Sequence, residues 1–421
     1  MKKNNNPFCS LIVLNYNGEK VIKDTLNSLL TQSYPKNKYE IIVVDNNSQD
    51  NSREILTKHS KDYKNIKAFF LENNLGFSKG NNFGIKKSKG EYVALINNDC
   101  LPETNWLKEI VASAIKDKKI FAVNSKILLY PRYINLKFSV DLKIVPVYVW
   151  LSKSLLCNGS DSGVVYLPLW KKTLGGFDTG NYFTIELPYD PYEDKIVEFV
   201  ILFNSRGLKF DKETNLHDLV TFDNNSISIA SITVNGDDIE YQVMLRLTNL
   251  EVINNSLNKV QNAGIMVFQD GYGRDIGAVV RSGQQFHEYD VKQYNKIKEV
   301  YAACAAAVLY KKNVLKKIGL LDESFFMYYE DVEISERARF AGFKIIYNPK
   351  AVARHHHALS SKEWSPLFIY HVEKGRLLHV FYNFPLKVFL REYLSLVIKS
   401  FLSLSSILFR FGTFLYNVKN K

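Results

Sequence analysis

Cysteine is scarce in this chain: four in 421 residues, Cys9, Cys100, Cys157 and Cys304, far apart and without a CxxC pair. That spacing excludes a disulfide framework and a zinc ribbon, and it suits a reducing cytosol. Neither G-x-G-x-x-G nor G-x-x-x-x-G-K-[ST] occurs, so a dinucleotide oxidoreductase and a P-loop NTPase lose their support. A G-x-S-x-G elbow and a basic, aromatic nucleic-acid motif are also missing. At the N-terminus, MKKNNNPFCSLIVLNYN has only a short apolar run, closed by Tyr and Asn, which argues against a secretory signal.

What remains is a globular composition, 46% hydrophobic and 23% charged, in a chain longer than one ordinary domain. The net charge of +12 suits an anionic membrane or nucleic acid, and composition alone does not choose between them. From 10 to 128, short apolar runs alternate with helical periodicity: SLIVLNYN, EKVIKDTLNSLLTQSY, YEIIVVDNNSQD, REILTKHS, IKAFFLENN, KGNNFGIKKS, YVALINND and WLKEIVASAIKD. The alternation predicts a mostly parallel sheet with helices on both faces, whose ligands collect at the carboxyl ends of the strands. Each predicted strand ends in polar residues: Asn15 and Asn17, Asp45 to Ser48, Asn73 and Asn74, and Asn97 to Asp99. Any one such end is also what a turn prefers; four pointing the same way favour a ligand.

Near 130 the helical period gives way, until about 256, to strand-like runs such as NLKFSVDL, VVYLPLW, NYFTIEL, VEFVILF and SISIASITV. Asn235-Gly236 is a hairpin signal, and Ile239, Tyr241, Val243, Leu245 and Leu247 then alternate onto one face. The segment reads as an inserted, β-sandwich-like module. Mixed α/β character returns from YAACAAAVLYKKNVLKKIG, and from Trp364 the chain is helical and apolar. Between Lys387 and Arg410, a helical wheel places Lys387, Arg391, Glu392, Lys399 and Arg410 on one side and leaves a broad apolar face. Lys399 and Arg410 divide the run into pieces shorter than the ~20 apolar residues of a membrane span. A helix lying in the membrane surface fits better, with a core helix or a dimer interface as the alternative.

Three groups of residues carry candidate chemistry. Asp99, delivered by ALINNDC to the ligand edge, offers one hard oxygen that a phosphate-bound divalent cation can share. Glu330 and Asp331 open the predicted helix of YYEDVEISERARFAG, where the helix dipole alone favours acidic residues. The FFMYY run just upstream is positioned to desolvate them and raise their basicity. RHHHALS places three His in a row, of which neighbours on a strand point to opposite sides, so one or two at most can join Asp99 on a metal.

In order along the chain, LIVLNYNGEKVIKDTLNSLLTQSYP, EIIVVDNNSQDNS, ENNLGFSKGNNFGI, YVALINNDC, VQNAG and FFMYYEDVEISERARFAGFKIIYNPKAVARHHHALS resemble the family 2 glycosyltransferases of GT-A fold. The rhamnosyltransferase and galactofuranosyltransferase branch, which builds bacterial surface polysaccharides, is the nearest in look. The resemblance covers about 1–130 and 256–362. It implies an α/β GT-A nucleotide-sugar-binding fold made of a nucleotide-binding half (1–130) and an acceptor or catalytic half (257–362). The all-β insert (131–256) and C-terminal amphipathic helices (363–421) complete the expected organisation.

By the same resemblance, Asn15, Tyr16 and Asp45 hold the nucleotide, with Asn73, Asn81 and Asn97 in the donor site. The DxD-type motif maps to Asn97-Asn98-Asp99, which keeps only the last carboxylate. The acidic pair maps to Glu330-Asp331, with Asp331 as general base, and His355 joins Asp99 as a protein ligand of Mn²⁺ or Mg²⁺. Implied partners are a UDP- or dTDP-linked sugar, a glycan or lipid-linked acceptor and a membrane surface, with no nucleic acid. The expected location is the cytoplasmic, inner face of the cell membrane, peripherally bound. Competing expectations are a sugar nucleotidyltransferase, for which NYNGEK is a poor Gly-rich loop, and a glycan-binding protein on an inactive scaffold.

Overall fold

The computed structural model describes residues 6–130, 257–281, 284–356 and 365–398, together with the backbone of strands between 132 and 247. It divides into two compact units, one of 1–128, 260–287 and 291–421, the other of 129–259 and 288–290.

The first unit begins with β1 (Cys9–Asn15), β2 (Tyr39–Asp45), β3 (Ile66–Phe70) and β4 (Tyr92–Asn97). These pair in parallel, β4-β1-β2-β3, with Asn15 opposite Asp45 and Leu14 opposite Asn97. Alternate residues of each strand enter different core layers. Leu11, Val13, Ile41, Val43, Ala94 and Ile96 lie in one, and Ile12, Ile42, Val44, Val93 and Leu95 in the other. Burial on both faces is why these strands read as unbroken apolar runs.

Helices α1 (Ile22–Leu30), α2 (Ser52–Asp62) and α4 (Trp106–Ala114) cover the first layer through Ile22, Leu26, Leu29, Leu56, Trp106, Leu107 and Ile110. Helix α3 (Gly76–Lys87) lies on the second, pressed so close that a Cβ at Gly80 would sit 2.5 Å from Leu14 and one at Gly84 2.6 Å from Ile12. Gly80 and Gly84, one turn apart, therefore serve close packing of helix on sheet, whereas a Cβ at Gly76 would meet Phe326. Trp106 is fully buried, and its indole N–H donates to Ser125 Oγ at 2.7 Å.

Beyond β4 the sheet stops being parallel. Strand Ala307–Lys311 enters between β4 and β6 (Ile120–Leu129), antiparallel to both. The complete order is Lys298–Val300, Lys344–His355, β6, Ala307–Lys311, β4, β1, β2, β3, with β5 (Cys100–Pro102) on Lys344–His355 and Val260–Asn262 on β6. The expected parallel sheet is thus its first half.

In the second unit every pairing is antiparallel, in a five-stranded sheet and a three-stranded one. Ile227–Asn235 and Glu240–Leu247 form the hairpin signalled by Asn235-Gly236, with Asn235 opposite Glu240. The side chains of this unit's strands, Cys157, and the wheel positions Lys399 and Arg410 lie outside the described residues. Helix Pro366–Asn383 starts at Ser365, whose Oγ accepts from Phe368 N–H at 3.2 Å, with Pro366 pre-set in its first turn. A further helix runs over 386–398. Among the described residues, no helix is long and apolar enough to cross a membrane.

Candidate active site

The ends of β1, β2 and β4 are stitched by amides. Asn98 Nδ2 donates to Asn15 Oδ1 at 3.0 Å, and Asn15 Nδ2 donates to Ser48 Oγ at 3.2 Å and Asp45 Oδ1 at 3.4 Å. Asp45, fully buried, also accepts from Ser48 N–H at 3.1 Å and faces Arg53 Nε at 3.9 Å. An Asn at β1 and an Asp at β2 thus share one buried network, while Tyr16 beside them is exposed. Gly18 makes the network possible: a Cβ there would lie 2.2 Å from Asn15 Oδ1 and 2.4 Å from Asn98 Nδ2. Sequence reasoning passes over Gly18, though NYNG carried the signal.

The two remaining donor-site candidates fare differently. Asn73 stands exposed after β3, whereas Asn81 is buried in α3 with its Nδ2 donating to Phe77 O at 3.0 Å. Its neighbours Asn46 and Asn74 shape the loop, Asn46 Nδ2 donating to Asn74 Oδ1 at 2.8 Å and Leu75 N–H to Asn46 Oδ1 at 2.8 Å.

Asp99 and His355 meet although 256 positions separate them, because strand Lys344–His355 pairs with β5 and sets His355 opposite Cys100. His355 Nε2 lies 2.9 Å from Asp99 Oδ1, and His355 Nδ1 lies 2.7 Å from Gln261 Oε1. All three residues are buried. Burial alone would push the Asp99 carboxyl up; the charge and hydrogen bond of His355 overcome it and hold the group below its ordinary value.

This pair suits a divalent cation. Asp99 and His355 would hold it through one carboxylate oxygen and one imidazole nitrogen, the two atoms that now share a hydrogen bond. Gln261 takes the ring proton at Nδ1, the outer hydrogen bond that orients a ligating imidazole. Among the described residues no group of three or more His, Cys, Asp and Glu is gathered. Gln261 is a site residue that its place in VQNAG did not disclose.

Glu330 and Asp331 open helix Glu330–Phe340. Asp331 Oδ1 accepts from Val332 N–H at 2.8 Å and Oδ2 from Ala305 N–H at 3.2 Å. It keeps part of its surface open, yet the surrounding protein pushes its pKa up to about 6, against these backbone hydrogen bonds. Glu330 is buried, its Oε2 has no hydrogen-bond partner, and burial followed by the charge of Asp331 drives its carboxyl well above the ordinary range. Two adjacent carboxyls whose surroundings both push them upward suit proton transfer. The segment that holds Asp331 also holds the strand end beside Asp99, since Asn97 N–H donates to Ala306 O at 3.0 Å.

The turn before the pair is strained. Tyr328 and Tyr329 have φ of 66° and 71°, consecutive left-handed residues with full side chains. Nothing in FFMYY signals this, because tyrosine has no preference for that region.

Residues 10–134 match the family model described as Glycosyl transferase family 2. The glycosyltransferase AglE of Haloferax volcanii is 38% identical over 107 residues, 25% of this chain and 35% of its own. TarS of Staphylococcus aureus, named a poly(ribitol-phosphate) β-N-acetylglucosaminyltransferase, is 38% identical over 104 residues, 24% of this chain and 18% of its own. TuaG of Bacillus subtilis, named a putative teichuronic acid biosynthesis glycosyltransferase, is 36% identical over 103 residues, 24% of this chain and 38% of its own. The chain thus spans between about a fifth and two fifths of the length of these relatives. The solved structure of TarS 1–349 with UDP-GlcNAc shares 34% identity over 28% of this chain and 34% of that one, with a TM-score of 0.27.

Proposed function

From a chain that carries a family 2 glycosyltransferase domain, we propose a membrane-associated, inverting glycosyltransferase that moves a sugar from a nucleotide-sugar to a hydroxyl of a glycan or lipid-linked acceptor in surface polysaccharide synthesis. The observation that carries the reading is the shared frame of the two chemical groups. Residues 305–306 bind the Asp331 carboxylate with one amide and the β4 end, next to Asp99, with one carbonyl.

The nucleotide sits at the ends of β1 and β2, on Asn15, Tyr16 and Asp45, with Asn73, Asn81 and Asn97 along the donor. Asp99 and His355 would hold Mn²⁺ or Mg²⁺, which when bound would supply positive charge to the departing diphosphate. Asp331, ionised above about pH 6, takes the proton of the acceptor hydroxyl. The new bond joins the acceptor oxygen to C1 as the C1–O bond to the diphosphate breaks, so the products are a glycoside, a nucleoside diphosphate and the proton on Asp331. Glu330 keeps its own proton and adds no competing negative charge. Donors with UDP and dTDP both suit the site.

Helix 386–398 supports membrane association: Leu386, Leu390, Tyr393, Leu394, Val397 and Ile398 are exposed, with Lys387 and Arg391 among them. The role assigned to the all-β unit is to bind an acceptor glycan or hold a partner, with decoration of the surface as the alternative.

Titration of UDP and dTDP into the full chain, with and without Mn²⁺, tests the donor assignment. Binding strengthened by the metal in wild type but not in Asp99→Ala, and weakened in Asp45→Ala, is expected. Nucleotide binding that ignores both substitutions would remove the proposed site.

A further inference from the structure

Helix Pro366–Asn383 turns one face to the loop that precedes the acidic pair. Phe368 meets the ring of Tyr328 at 5.1 Å, His371 stacks on Phe326 at 5.3 Å, His379 lies 6.1 Å from Tyr329, and Tyr382 meets Phe325 at 6.3 Å. At the centre of the same face, a Cβ on Gly375 would stand 2.9 Å from Tyr328 O and 3.0 Å from Tyr329 Cβ. Positions 368, 371, 375, 379 and 382 follow one another by three or four, the spacing of a single helical face.

The two left-handed tyrosines are strained and persist only where surroundings over-determine them. Here those surroundings are the helix face and the 270–273 segment. Tyr329 is buried, and its hydroxyl accepts from Gly273 N–H at 3.0 Å. Arg376, the residue after Gly375, is also buried and ties that segment to both C-terminal helices. Its guanidinium donates to Asp270 O at 2.9 Å, to Glu373 Oε2 at 3.0 Å and to Glu392 Oε2 at 3.1 Å, and lies 4.3 Å from the Tyr272 ring centre. Tyr272 in turn donates its hydroxyl to Glu373.

We propose that helix Pro366–Asn383 is a positioning element for the Asp331 carboxylate, with Gly375 seating the strained Tyr328-Tyr329 turn and Arg376 locking the helix against the 270–273 segment. This rests on the reading of Asp331 as base, with Gly375 and Arg376 acting through the turn and the 270–273 segment. In a helix interior alanine is favoured over glycine. Gly375→Ala therefore separates positioning from helix stability, because it favours the helix while forcing its face off the turn.

The test uses the full chain as wild type, Gly375→Ala and Arg376→Lys, the last keeping the charge but losing the planar fork. Amide hydrogen exchange is read at Ala305 and Val332, whose N–H groups hold Asp331, and along β1 and β2 as internal reference. Protection at Ala305 and Val332 is expected to fall about tenfold or more in Gly375→Ala, and less in Arg376→Lys, as expected for a bond opened locally, with β1 and β2 unchanged. Donor turnover is expected to fall in kcat by up to about a hundredfold, the cost of displacing a reacting group by about 1 Å, with donor KM unchanged. Exchange unaltered at both amides, or lost equally across β1 and β2, would overturn the proposal. If wild type turns over no donor, the transferase reading fails while the exchange result still decides whether the helix holds Asp331.

Discussion

The proton balance of Glu330 and Asp331 offers the sharpest test of the chemistry. Asp331 rises from 3.8 to about 6, burial being the largest cause and the amides of Ala305 and Val332 acting against it. A shift of that size corresponds to about 3 kcal/mol against the charged form at 1.36 kcal/mol per unit, reduced by whatever solvent reaches its partly open surface. Burial, and after it the charge of Asp331, push the Glu330 carboxyl well above its ordinary range, a direction that favours its protonated form. Donor kcat/KM should accordingly rise with unit slope as pH increases through about 6 and then level off. The discriminating perturbation is Glu330→Gln, which replaces a neutral acid by a neutral amide of the same shape. The acid limb should stay within a few tenths of its wild-type position. A limb displaced downward by about a unit or more, the size of a like-charge effect at short range, would show that Glu330 is ionised and refute the assignment. Steady-state turnover from pH 4.5 to 8.5 in a constant-ionic-strength buffer, with Mn²⁺ held saturating, makes the measurement.

Other consequences are open to simpler assays. Asp331 is neutral in both states below 3.8 and penalised in the folded state above about 6. Its contribution to stability is therefore lost as pH rises through that window, and urea unfolding should show wild type losing up to about 3 kcal/mol relative to Asp331→Ala between pH 4 and 7. Gly76 has φ +78°, and a Cβ there would come within 2.6 Å of Phe326 O; Gly76→Ala should lower stability by about 1–3 kcal/mol in thermal unfolding, and no loss would contradict the packing of α3 on the 326 loop. Trp106→Ala removes a fully buried ring and its bond to Ser125 and should cost about 3–5 kcal/mol. Replacing Leu390 and Leu394 by Ser should reduce sedimentation with anionic vesicles, whereas equal sedimentation of wild type and variant would remove helix 386–398 from the membrane.

How much of this was readable without coordinates differs by element. Strands β1, β2 and β4 declare themselves because they are apolar on both faces and end abruptly in Asn and Asp, and α1 declares itself through Ile22, Leu26 and Leu29 at helical spacing. The antiparallel insertion of Ala307–Lys311 between β4 and β6 is not readable, since it depends on pairing between segments about two hundred residues apart. Asp99, Glu330-Asp331 and His355 were recognisable from ordered motifs. Gln261 and the Tyr328-Tyr329 turn were not, because each acts through a distance or a backbone angle that its residue type does not advertise. Asn81 is a polar residue of an ordered motif whose Nδ2 bonds to its own helix and whose Oδ1 is left for the donor.

The central claim is that Asp99 with His355 and Asp331 form one transferase site. It is tested most directly by metal-dependent turnover of a panel of UDP-, dTDP- and GDP-sugars by purified protein, run beside Asp99→Ala and Asp331→Asn. The account predicts that at least one donor is cleaved with Mn²⁺ or Mg²⁺, and that Asp331→Asn lowers the rate by about 10²–10⁴-fold, the usual worth of a general base, while Asp99→Ala abolishes the metal dependence. No cleavage of any donor, or cleavage that both variants retain, would contradict it.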